Sequence, residues 1–431
     1  MKNKRLNLLN NIFEHNKSTF KFNSMLKSFS FKSQDIGKTV YDGVLFNELN
    51  PNLMEVKLNQ PKKLNSLDLK MIKTILKKIR MWVPYNIDGW SSEGEINQNK
   101  KVPNVIVFTG EGKNFCAGGD IKSLYTAKQQ DPKTKIVKDF FRYEYLLDYS
   151  LTKMTPIQVS LWQGAVMGGG VGLSINSPVK ICTDSTVFAM PESKIGLFTD
   201  VGASYFLQKN LNNSVEVALY VGLTGDKITG KNLAVTGVAT HYFSPENFNN
   251  ILDILKKEVN EKTNLSSLQE LINKKADYVY DSKNFTFPNY DLIKYVFQPS
   301  TIQTVFKRLN NLKNQNKEEL KENFLNSSSK EWAESVLNDL NTKSPLSLCA
   351  IFELIKRGQE FASLEEALDL EAQVVSGFME DSDFFEGVRA LLVEKDNKPI
   401  WKHKSIDEIN HKEMVQKYFD VKEQIDINPN L

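Results

Sequence analysis

Histidine and cysteine are scarce in this 431-residue chain, and their scarcity removes several chemistries at once. The histidines, His15, His241, His403 and His411, lie far apart in sequence. A metal site or a His-based triad therefore has little to draw on. The cysteines, Cys116, Cys182 and Cys349, form an odd set without CxxC spacing. That pattern argues against a disulfide framework and for a reducing compartment. No apolar run approaches the roughly 18 residues of a membrane span. Charge of one sign is not in excess either: 55 Lys and Arg face 52 Asp and Glu, a formal net charge of +3. The chain is expected to need no metal, no membrane and no nucleic acid. What remains is an ordinary globular composition, 41% hydrophobic and 25% charged, long enough for one large domain or two.

The first 39 residues stand apart. Lys2, Lys4, Arg5, Lys17, Lys21, Lys27, Lys32 and Lys38 are balanced only by Glu14 and Asp35, with Ser28-Phe29-Ser30-Phe31 interspersed. A basic, acid-poor, serine-containing leader reads as a mitochondrial transit peptide, the alternative being a disordered basic tail. The end, Asn428-Pro429-Asn430-Leu431, is not a peroxisomal signal.

Ordered structure is expected from Val40. Val44-Leu45-Phe46 and residues 53–58 read as a hairpin turning at Asn50-Pro51-Asn52. Ser66 is placed as the cap of a helix whose apolar face carries Ile72, Ile75, Leu76 and Ile79. Residues 86–101 are polar and aperiodic, a surface insertion. Residues 105–108 and 156–161 read as buried strands, each followed by a glycine cluster and then a helical pattern, which predicts an α/β class. From about Asn249 helical patterns dominate, with Lys- and Asn-rich loops around 309–328.

The two glycine clusters carry the chemistry. One is Asn114-Phe115-Cys116-Ala117-Gly118-Gly119-Asp120; the other is Gln163-Gly164-Ala165-Val166-Met167-Gly168-Gly169-Gly170-Val171-Gly172. Glycines that open a helix leave backbone N–H groups uncovered, and a pair from two loops can hold a developing oxyanion. For either cluster alone, tight turns and close helix packing are the simpler reading.

These stretches, with Asn59-Gln60-Pro61-Lys62-Lys63-Leu64-Asn65-Ser66-Leu67, Leu223-Thr224-Gly225 and Glu386-Gly387-Val388-Arg389-Ala390, resemble the crotonase (enoyl-CoA hydratase/isomerase) superfamily. Within it they are most similar to the 3-hydroxyisobutyryl-CoA hydrolase branch. The resemblance is dense over residues 40–245 and returns from Glu386 to Trp401. It implies a crotonase-like spiral of ββα units, with residues 1–39 as transit peptide, 40–245 as catalytic core, and a mainly helical 246–431 completing the domain. It implies an oxyanion hole at the N–H groups of Gly119 and Gly169, and Glu192, in Met190-Pro191-Glu192, as the acid/base carboxylate. Asp200 matches a second catalytic carboxylate, and Glu144 a substrate-contacting one. Lys62 is the candidate for meeting CoA phosphates. CoA enters as part of the substrate, so no separate cofactor is implied, and a homo-oligomer would fit. Thr199, where these hydrolases tend to have proline, and Tyr143, where an acid is usual, depart from the pattern.

Taken by themselves the carboxylates are ambiguous. Glu192 is either a helix N-terminal acid or a site residue in apolar surroundings. Asp200 suits a turn, and Glu144 suits a solvent-facing helix position. Family hydratases carry a glutamate two positions after the triple glycine; here that residue is Gly172. Hydration by a glutamate pair is therefore disfavoured. Thioester hydrolysis in valine breakdown in the mitochondrial matrix is expected, with Glu192 either activating water or attacking directly. The alternatives are another crotonase hydrolase or isomerase, or a non-catalytic mitochondrial ribosome-associated subunit. The P-loop-like run at 225–232 ends in Asn232 where Ser or Thr is required, and Cys116 has no histidine nearby; both are set aside.

Overall fold

The computed structural model describes residues 41–83 and 102–420. The basic leader, the polar insertion at 86–101 and the C-terminal tetrapeptide lie outside the described residues. Strands β1 (Val44–Asn50) and β2 (Leu53–Leu58) form the expected antiparallel hairpin, with Val44 opposite Leu58. Helix α1 (Leu69–Arg80) buries Met71, Ile72, Ile75, Leu76 and Ile79 along one stripe. Its cap is Asp68 and not Ser66. The Asp68 carboxylate accepts the Met71 N–H at 2.8 Å and also takes the Tyr41 hydroxyl and the Gln60 amide. A charged acceptor at the helix start, already oriented by two neighbours, outcompetes the hydroxyl. Ser66 donates to the Lys63 carbonyl instead.

The chain then alternates strands and helices: β3 (Val105–Gly110), α2 (Ile121–Gln130), α3 (Ile136–Lys153), β4 (Ile157–Trp162), β5 (Ala165–Met167), α4 (Gly169–Ile175), β6 (Val179–Cys182) and β7 (Val187–Ala189). After these come α5 (Ala203–Asn210), α6 (Val215–Thr224), β8 (Ile228–Thr229), β9 (His241–Tyr242) and β10 (Tyr278–Val279). Among the described residues two sheets form, ordered β1-β2-β3-β4-β6-β9-β10 and β5-β7-β8. From β2 to β9 the larger sheet is parallel, which requires helical crossovers and covered faces. Strand β3 shows both faces occupied. Ile106 and Phe108 join a core with the α1 and α3 side chains, while Val105 and Val107 join another containing Phe243, Leu255 and Leu268.

Beyond residue 245 the chain is mainly helical, but β10 adds an edge strand to the large sheet. Helix α7 (Ile302–Lys313) persists to Lys313, so the Lys- and Asn-rich loop starts later than the sequence suggested. Farther along lie α8 (Pro345–Arg357), α9 (Leu364–Phe378) and α10 (Ser382–Val388). Helix α9 packs against α3 and α5, and α10 against the short turn Glu192–Ile195. The C-terminal region thus lies directly behind the elements that carry the candidate carboxylates.

Candidate active site

The two glycine clusters meet edge to edge. Residues 116–119 run parallel to β5: the Cys116 N–H donates to the Ala165 carbonyl at 2.9 Å, and the Met167 N–H to the Cys116 carbonyl at 3.1 Å. On the other side, Leu67 donates to Gly118 and Asp120 donates to Leu67, both at 2.8 Å. These bonds flank Gly119, so its own N–H projects away from the pairing. Gly169 is the first residue of α4, where an N–H has no intrahelical acceptor. Neither N–H donates to a group of the described chain. Asparagine side chains lock the loops in place. The Asn65 amide donates to the carbonyls of Glu111 and Asn114, and Asn114 Oδ1 accepts the Ala165 N–H at 2.9 Å.

Carboxylates converge on this pair of loops. Glu192 starts the 3-10 turn after Pro191 and is buried. Its Oε1 lies 3.1 Å from where a Cβ on Gly168 would stand, and its Oε2 has no hydrogen-bond partner in the protein. Glu144 does not face solvent: from the middle of α3 it is buried, with Oε1 unpartnered and set directly against Gly169, where any Cβ would strike it. Asp200 is buried too, and the Tyr145 hydroxyl donates to its Oδ2 at 2.9 Å. Helix α3 therefore delivers Glu144 to the glycine loops and Tyr145 to Asp200 through adjacent residues.

Three site residues escaped the sequence reading: Tyr145, Asp148 and Glu371. Asp148 lies one helical turn beyond Glu144, a spacing that placed it on the same face. Its Oδ2, without a partner, stands 2.5 Å from the position of a Gly172 Cβ, and Val201 Cβ stands 2.7 Å from it. A glutamate at 172 would have no room. Glu371, on α9, accepts the Gly202 N–H at 2.7 Å, the Ser204 N–H at 3.3 Å and the Ser204 hydroxyl at 2.7 Å. It braces a turn in which Val201 adopts φ 55° and Gly202 φ 86°. For a β-branched residue the left-handed region costs on the order of 1–3 kcal/mol.

Burial dominates the electrostatics. It holds Glu144 well above the ordinary carboxylate range, reinforced by Asp200, Asp148 and Glu192. Glu192 is raised by burial and then by Asp200; Asp148 by burial, Asp200 and Glu371. Burial also pushes Glu371 up to about 8, against the pull of its donors at Gly202 and Ser204. Asp200 rises for the same reason, but the Tyr145 hydrogen bond opposes the rise. Asp200 is thus raised to about 7, and Glu144, Glu192 and Asp148 are each held well above the ordinary carboxylate range. An ionised carboxylate here is poorly solvated and correspondingly basic.

The remaining candidates fall as follows. Lys62 is exposed in the turn Pro61–Lys63, free of the ion pair that ties Lys63 to Asp120 at 2.7 Å. Burial pushes the Cys116 thiol up to about 12, so it stays protonated. In the P-loop-like run, Gly225 closes α6 and Ile228–Thr229 pairs with β7, leaving no phosphate loop. Among the described residues no group of His, Cys, Asp and Glu is arranged to hold a metal, and no helix is long and apolar enough to cross a membrane.

Comparison with known proteins gives a consistent set of likenesses. The family description "Enoyl-CoA hydratase/isomerase" matches residues 53–419. A protein of Dictyostelium discoideum named "3-hydroxyisobutyryl-CoA hydrolase, mitochondrial" is 38% identical over 402 residues, 90% of this chain and 95% of that protein. A Neurospora crassa protein named "Small ribosomal subunit protein mS47" is 34% identical over 85% of this chain and 69% of its own length. Among solved structures, a carnitinyl-CoA dehydratase from Mycobacterium thermoresistibile superposes with a TM-score of 0.69. It is 24% identical and covers 90% of this chain and 100% of that one, a likeness of fold.

Proposed function

This chain belongs to the enoyl-CoA hydratase/isomerase family, and from that premise we propose that it hydrolyses the thioester of 3-hydroxyisobutyryl-CoA in the mitochondrial matrix, as a step of valine breakdown. The observation that carries the reading is the placement of Glu144 and Glu192, each with an unpartnered oxygen, against the adjacent residues Gly169 and Gly168. A thioester carbonyl held by the N–H groups of Gly119 and Gly169 brings its carbon close to both carboxylates. Glu192 then supplies the attack, by taking a proton from water or by adding its own oxygen to the carbonyl carbon. Charge gathers on the carbonyl oxygen and the C–S bond breaks. When Glu192 is the base, it passes the proton taken from water to the departing sulfur, and acid and CoA thiol leave; when Glu192 attacks, CoA departs as thiolate, and water then cleaves the mixed anhydride, which frees the acid and Glu192 and supplies the proton for the thiol. Asp200, whose ionised form the Tyr145 hydroxyl supports, carries negative charge beside Glu192 and keeps it basic. The acyl group's 3-hydroxyl donates to the free Glu144 oxygen, which gives the site a reason to prefer it.

The resemblance to a ribosomal protein raises a scaffold role, but four interacting buried carboxylates are a stability cost that a scaffold has no need to carry. Release of free CoA from a panel of acyl-CoAs tests the proposal. The hydroxylated substrate should be hydrolysed much faster than isobutyryl-CoA, and Glu144→Ala should narrow that ratio. No CoA release from any member of the panel would overturn it.

A further inference from the structure

The turn that carries Asp200 is strained and is held from a distant part of the chain. Val201 is β-branched, fully buried and left-handed, with φ 55°, and Gly202 follows at φ 86°. Left to itself such a turn relaxes toward negative φ at Val201, which would swing the Asp200 carboxylate off Tyr145. Three donors on the far side of the turn, the Gly202 N–H and the N–H and hydroxyl of Ser204, all point to one side chain, Glu371. Glu371 is fully buried on α9 and lies 169 residues from Gly202 in sequence. Its two oxygens are divided between the two residues: Oε2 takes Gly202 and Oε1 takes Ser204. That is a bidentate grip on the backbone immediately after Asp200. Leu364 of the same helix packs against the α-carbon of Gly202, where a Cβ would strike it.

We propose that Glu371 is a positioning residue, whose carboxylate holds the strained Val201 turn so that Asp200 stays aimed at Glu192 and Glu144. Glu371 acts through the turn and touches no substrate. The inference rests on the assignment of Asp200 to the reaction, and the experiment separates the two. Glutamine at 371 keeps the volume but replaces an acceptor by an N–H that faces another N–H, so the grip on Gly202 or Ser204 is lost.

The test is a double-mutant cycle between Glu371→Gln and Val201→Gly, with kcat and KM for the 3-hydroxy thioester, thermal unfolding, and Asp200→Asn as reference. Glycine at 201 removes the strain that the grip resists. The expected result is a fall in kcat for Glu371→Gln of up to ~10²-fold, the scale of a misplaced group, with KM little changed. The same substitution should cost far less in the Val201→Gly background. If Glu371→Gln does not fold, Ser204→Ala removes one donor of the grip, and its kcat loss should be suppressed by Val201→Gly in the same way. Full kcat in the folded variant, or a kcat loss of equal size in both backgrounds, overturns the inference. Asp200→Asn with unimpaired turnover would instead remove the assignment of Asp200 on which it stands.

Discussion

The Tyr145 hydroxyl donates to Asp200 Oδ2 at 2.9 Å across 55 residues of sequence, and both partners are buried. This hydrogen bond favours the ionised form of Asp200.

Removing it should move the pH profile. Burial raises Asp200 to about 7 even with the bond in place, so Tyr145→Phe raises it further. The ionised form then appears only at higher pH, and the acid limb of kcat shifts upward. A hydrogen bond to a charged group is worth about 1.5–3 kcal/mol, which corresponds to about one to two pH units. An unshifted limb would disconnect Tyr145 from the titrating group.

Asp148 should make the folded protein less stable as pH rises. Its folded-state pKa is raised by burial, then by Asp200 and Glu371, whereas in the unfolded chain it titrates near about 3.9. Between those values the folded state holds a proton that the unfolded state has released. Stability therefore falls with increasing pH in that window, by up to about 1.4 kcal/mol per unit. Asp148→Asn removes this dependence, so its unfolding temperature should decline less than wild type from pH 5 to 8. Parallel declines would show that Asp148 is ionised in the folded protein.

Gly169 has no room for a side chain. A Cβ would displace the Glu144 carboxylate and disturb the helix start that offers its N–H. Gly169→Ala is expected to lower kcat by ~10²-fold or more, the scale of one lost oxyanion donor. Steady-state kinetics on the folded variant check this, and near-normal turnover would remove Gly169 from the site.

Much of this arrangement was legible from the sequence. The hairpin, the buried stripe of α1 and the two glycine clusters are local patterns, and local periodicity sets them. The role of Asp68 was hidden because its advantage over Ser66 comes from Tyr41 and Gln60, which meet it only in the fold. Helix α3 concealed more. Nearly all of its second half is buried, so no polar face marks Glu144 and Asp148 as inward. Glu371 could not be found at all, since its partners lie at Gly202 and Ser204 and nothing near it in sequence points to them.

Lys62 is exposed and has no ion pair among the described residues, while its neighbour Lys63 is bound to Asp120. Lys62→Ala should raise KM for the CoA thioester up to about fivefold, the scale of an exposed ion pair, and leave kcat alone. The difference should shrink at high salt. An unchanged KM at low salt would place the CoA phosphates elsewhere.

Glu192 bears the central claim, and free-CoA release by Glu192→Gln measures it directly. Glutamine keeps the shape of the buried side chain and removes its charge. With 3-hydroxyisobutyryl-CoA as substrate and folding checked by circular dichroism, turnover should fall by at least ~10²–10⁴-fold, with KM changed far less. A folded Glu192→Gln protein that releases CoA at the wild-type rate would contradict the account.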